Sequence, residues 1–118
     1  MEQSILKSTK KNLGLGAEYT PFDLDVITHI NAAFSVLNQL GLDSTSGFSI
    51  EDDTAEWEDY PVPAAQLNLV KTYIYLKVKI AFDPPTFSFH LDAAKDQIKE
   101  YEWRLNIFRE DALPEEVP

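Results

Sequence analysis

Cysteine is absent from this 118-residue chain. Disulfide frameworks and thiolate metal sites are thereby excluded, as expected of a protein made in a reducing cytoplasm. Long apolar runs are absent too. No stretch approaches the roughly 20 apolar residues of a membrane span, and the opening MEQSILKSTKKNLGLG lacks the apolar h-region of a signal peptide. Basic residues are scarce, ten against twenty acids, for a net charge of −10. So acidic a chain does not grip nucleic acid by neutralising phosphates. Apolar content is ordinary at 44%, so the composition is not that of a disordered chain, and the length suits one domain with one core.

The acids are clustered. Asp43, Glu51, Asp52, Asp53, Glu56, Glu58 and Asp59 fall within residues 43–59 without one Lys or Arg, and residues 110–118 add four more. The remaining nine acids face ten bases, so the rest of the chain is near neutral. A solubilising loop explains such a cluster. So does the wall of a passage that DNA must cross without sticking.

Apolar spacing predicts four helices. Residues 4–13 carry Ile5, Leu6, Thr9 and Leu13 on one side and Lys7, Lys10 and Lys11 on the other, with Ser4 as N-cap and Gly14 and Gly16 as the stop. Thr20-Pro21-Phe22-Asp23 reads as a capping box with proline at the first helical position, and Tyr19 with Leu24 as a hydrophobic staple. That second helix is expected to run to Leu40 and stop at Gly41. Residues 42–63 read as a long connection holding Phe48, Ile50, Trp57 and Tyr60. Four large apolar residues predict that part of it packs, with a helical turn around Thr54 to Trp57.

Residues 64–83 predict a third helix with two apolar stripes. One is Leu67, Val70, Ile74, Val78 and Ala81; the other is Leu69, Tyr73, Leu76 and Ile80, with Lys71, Tyr75 and Lys79 as a narrow polar strip. A surface helix needs one stripe; two require burial within a bundle or between subunits. Pro84-Pro85 ends this helix and makes a stiff corner. A fourth helix over 87–109 follows, with Phe87, Leu91, Ala94, Ile98, Tyr101, Leu105 and Phe108 in heptad spacing. Its short connection places it antiparallel to the third. Trp103 and Ile107 lie off the main stripe; Lys95 and Lys99 alternate with Asp92, Asp96 and Glu100 on the outer face. The fold class is therefore an all-α bundle of about four helices, with a long, partly ordered loop and an extended tail. The expected division is a helical domain over 1–110 and an acidic, proline-containing tail over 111–118.

Enzyme chemistry finds little footing. His29 and His90 have no cysteine partner, and His29 with Asp25 at a four-residue step reads as a surface helix pair. Glu51-Asp52-Asp53 lacks the spacing of a calcium loop. No catalytic residue, metal or cofactor is expected.

The segment VKTYIYLKVKIAFDPPTFSFHLDAAKDQIKEYEWRLNIFRE, with FDLDVITHINAAFSVLNQLG upstream and W-E-D between them, resembles the head-to-tail connector (adaptor) proteins of tailed bacteriophages. LKVKIAFDPP and KEYEWRL are the most specific pieces. The resemblance covers about residues 1–110 and implies an all-helical virion subunit at the head–tail junction. It implies a ring, commonly of twelve copies, under the portal, which extends the DNA channel and docks the stopper or tail-completion protein. DNA would pass without sequence-specific binding, and no membrane is involved. It also implies a C-terminal region that reaches toward the portal, here Arg109, Leu113 and Val117. Ring subunits need apolar surface beyond their own core, which assigns Leu69, Tyr73, Leu76, Ile80, Trp103 and Ile107 to the subunit interface. The acidic segment from Asp43 to Asp59 then faces the channel or the next ring. A competing reading is a small acidic regulatory binder that mimics DNA or blocks a basic partner surface. A helical enzyme or metal-binding bundle is a third class.

Overall fold

The computed structural model describes residues 3–41, 48–83 and 88–112, with only the backbone at 88 and at 108–112. It holds four helices: α1 (Ile5–Asn12), α2 (Asp23–Gln39), α3 (Ala64–Phe82) and α4 (Ser88–Ala112). The architecture is an all-α bundle. The Pro84-Pro85 corner, and the tail from Leu113, lie outside the described residues.

α1 starts where Ser4 caps it: the hydroxyl accepts the Lys7 N–H at 3.2 Å. Gly14 and Gly41 follow α1 and α2 with φ of 83° and 77°, the left-handed conformation that glycine tolerates after a helix. The entry to α2 departs from expectation. Thr20 makes a turn, its carbonyl accepting from Asp23 N–H, and α2 begins at Asp23 with no side-chain cap. The staple is also absent, because Leu24 is 76% exposed. Tyr19 instead meets Phe22, and Phe22 packs edge-on against Phe82 at the far end of α3. Because α2 starts at Asp23, this residue is not at the third helical position a capping box needs, and its carboxylate instead pairs with Lys10 at 2.7 Å. Lys10, which the spacing places opposite the apolar side of α1, is buried and also donates to the Ala17 carbonyl.

The long connection packs as its apolar residues require. Ile50, Trp57 and Tyr60 are buried, and Phe48 lies edge-on to Phe34 and Tyr60. Its helical turn is a single 3-10 turn at Trp57–Asp59, slightly later than expected. Two devices hold the backbone. The Asn31 side-chain amide of α2 both donates to the Ile50 carbonyl (3.0 Å) and accepts from its N–H (2.8 Å). Residues 53–57 then pair with the chain before α1, through Ile5 N–H to Ala55 carbonyl and Trp57 N–H to Gln3 carbonyl. The Trp57 indole donates to Ser8 Oγ at 2.9 Å and its ring meets Phe34 and Tyr75. Lys71 sits 5.9 Å above that ring. The narrow polar strip of α3 is thus partly roofed by the loop at Lys71 and Tyr75.

α3 is the central helix. Val70, Ile74 and Val78 of its first stripe are buried, and both α2 and α4 pack on it substantially. α4 runs antiparallel to α3, so that Tyr73 meets Glu102 while Ile80 lies near Lys95 and Ile98. It turns Ile98 and Leu105 inward.

Candidate subunit and partner interface

α4 is about 37 Å long at ~1.5 Å per residue, and α3 is its one substantial helical neighbour. A helix so placed is covered along one line only. With 3.6 residues per turn, the face opposite Ile98 and Leu105 carries Phe89, Asp96, Glu100, Trp103 and Ile107. Phe89 is 77% exposed and Trp103 63%. Asp92, Asp96 and Glu100 are exposed beside them, and Ile107 is half-buried. The result is a convex ridge, apolar at its ends and acidic between.

Because α4 contacts mainly α3, a groove opens on each side of it. One lies between α2 and α4 and has a volume of about 470 Å³. Ala32, Ala33, Val36, Ile80, Ala81 and Ile98 form its floor. The small side chains of Ala32, Ala33 and Ala81 keep the floor deep. Lys77, Lys95 and Lys99 rim it, with Glu102 and His29. Glu102 is not loose there: it accepts the buried Tyr73 hydroxyl at 2.7 Å. Burial, and then this carboxylate as hydrogen-bond acceptor and charge, push the Tyr73 pKa far above the ordinary phenol range. The second groove, about 430 Å³, lies toward α1 and is lined by Asn12, Leu76, Tyr101 and neighbours.

A second surface is the acidic segment. Glu51, Asp52, Asp53, Glu56, Glu58 and Asp59 are all exposed on a backbone anchored at both ends. Four have local duties, Glu56 among them through its side chain, which accepts the Asp59 N–H. Asp52 accepts the Thr54 hydroxyl and N–H, which lowers its pKa in that order of cause. Asp53 lies 3.6 Å from Lys7. Asp59 accepts the Glu56 N–H, closing a reciprocal cap on the 3-10 turn.

A family model described as phage connector protein matches residues 5–112. The chain belongs to this family. No match was found among curated proteins or solved structures. The connector is accordingly a structural component of a tailed-phage virion whose partners are components of head–tail assembly. Among its described residues, no helix is long and apolar enough to cross a membrane.

The residues assigned from sequence to the connector's subunit interface fall into three groups. Trp103 is exposed and Ile107 half-buried on the α4 ridge. Leu69, Leu76 and Ile80 are half-buried on α3, Ile80 at the basic groove and Leu76 at the other. Tyr73 is wholly buried under α4 of its own chain, so it has no surface to offer a neighbour. Of the second stripe of α3, Tyr73 is thus spent inside the bundle, while Leu69, Leu76 and Ile80 keep part of their surface. Arg109 lies in α4 with its side chain outside the described residues; Leu113, Val117 and Asp43 also lie outside them. Sequence reading missed the basic groove and Phe89. Phe89, Asp96, Trp103 and Ile107 follow steps of 7, 7 and 4, a second helical stripe legible in principle. The groove had no such signal, since its lysines come from two helices and its floor from three.

Proposed function

We propose that the connector forms an oligomeric ring between portal and stopper, extending the channel through which double-stranded DNA passes. The observation that carries this reading is the α4 ridge: two large aromatic side chains stand out on a helix that one neighbour alone supports. Interface centres favour such aromatic anchors. Twelve copies is the number implied by the resemblance to head-to-tail adaptors. In this reading the helical domain makes the ring. The C-terminal region, the end of α4 with the acidic tail, reaches for the portal with Arg109, Leu113 and Val117. The acids of residues 51–59, with Asp43, face the lumen or the next ring. On the lumen wall their repulsion acts over about 8 Å at physiological salt and keeps DNA from adhering.

The test is to mix purified connector with the portal of the same phage and follow the complex by sedimentation and electron microscopy. A ring-shaped complex is expected, and a chain lacking residues 113–118 should fold normally yet load poorly. No association across a range of salt concentrations would overturn the reading. A subunit that stays single and instead titrates a basic partner would favour the acidic regulatory binder.

A further inference from the structure

The basic groove is at odds with its surroundings. In a chain of net charge −10, three of the ten basic residues, Lys77, Lys95 and Lys99, rim one small-residue depression against a single carboxylate, Glu102. That carboxylate already accepts a hydrogen bond from Tyr73. The occupant this groove fits is convex, apolar and acidic. The same chain presents such a surface on α4, where Asp92, Asp96 and Glu100 lie between Phe89 and Trp103. Glu100 is 3.4 Å from Arg104, an exposed pair that solvent leaves weak.

We infer that the groove between α2 and α4 of one copy receives the α4 ridge of the next, with Trp103 over the alanine floor and Asp96 and Glu100 against Lys95 and Lys99. A closed ring needs a heterologous contact between two different patches of one chain, one complementary to the other. The groove and the ridge are such a pair: concave and basic against convex and acidic. Charge complementarity sets register and suppresses wrong partners more than it adds affinity. Trp103 and the apolar floor supply the anchor. This inference rests on the ring reading above and specifies which faces meet.

Two charge reversals test it. The groove variant is Lys95→Glu with Lys99→Glu; the ridge variant is Asp96→Lys with Glu100→Lys. All four side chains are exposed, and circular dichroism melts check that each variant folds. Alone, each sets like charges against each other, and loading on portal should fall about tenfold or more. An equimolar mixture pairs the reversed groove with the reversed ridge, and the native groove with the native ridge. It should load to within about twofold of wild type. A mixture that loads no better than its folded components overturns the pairing and leaves the ridge or groove to another partner. In that case wild-type loading still upholds the ring. Failure of wild type to load brings down both. Should a reversal not fold, Ala32→Trp fills the groove from an exposed position. Loss of loading is expected there, and unchanged loading overturns the inference.

Discussion

Lys10 illustrates how a single residue escapes its sequence pattern. It stands among Lys7 and Lys11 on the polar side of a short amphipathic helix, yet the chain after Gly16 folds over it and brings Asp23 to 2.7 Å. Lys10 is the more buried partner. Removing Asp23 leaves a buried ammonium with the Ala17 carbonyl but no counter-charge, whereas Lys10→Met removes the charge and leaves a partly exposed carboxylate. Asp23→Ala should therefore cost about 3 kcal/mol, or about 10 °C in Tm at this chain length, and Lys10→Met clearly less. Equal melting temperatures for the two variants would count against this asymmetry. Tyr73 and Glu102 form another polar contact, part-buried between α3 and α4. The Tyr73 pKa is raised in the folded state, so above the ordinary phenol value near 10 the folded chain holds a proton that the unfolded chain has lost. The stability from this pair is complete below about pH 10 and falls as pH climbs beyond it. Tyr73→Phe should cost about 2 kcal/mol at neutral pH and flatten that alkaline decline. Denaturant titrations from pH 8 to 11 measure both effects.

Among the elements, the loop before α3 and the helix α4 show opposite economies. The loop has little regular structure, yet it is rigidly placed, because Trp57 and Tyr60 are buried and Asn31 holds both backbone groups of Ile50. Asn31→Ala leaves that carbonyl and N–H without their partner. A loss of about 2 kcal/mol is expected, with faster hydrogen exchange at the Ile50 amide than elsewhere in the core. Uniform acceleration across all core amides would mean that the clamp is not local. The packing of this loop was legible in its apolar content; the clamp was not, since Asn31 sits mid-helix with nothing in its neighbours to mark a partner nineteen residues on. α4 has the reverse character: long, regular and thinly covered. Its heptad foretold Ile98 and Leu105 as core. Its outer stripe was read only at Trp103 and Ile107. Phe89 falls outside the heptad, and Lys95 and Lys99 read from sequence as part of one mixed polar face rather than the rim of a groove.

For the whole molecule, the decisive contrast is between stability and assembly. Trp103 is mostly exposed, so Trp103→Ala should change the subunit's stability by no more than about 0.5 kcal/mol. Ring loading should weaken more than tenfold, as for an anchor worth about 2 kcal/mol. A matching loss in subunit Tm would make Trp103 core rather than contact. Helix number, helix limits near glycine and the heptad seam followed from the sequence alone, because propensity, capping and apolar period are local and agree with one another here. The resemblance to connectors also lay in contiguous segments. Only the tertiary structure decided that Lys10 is buried, that Tyr73 belongs to the subunit's own interior, and that three lysines gather about one groove. Each of these depends on which segments lie against each other, the chain after Gly16 over α1 for Lys10 and the faces of α2, α3 and α4 for the rest, to which no local spacing corresponds.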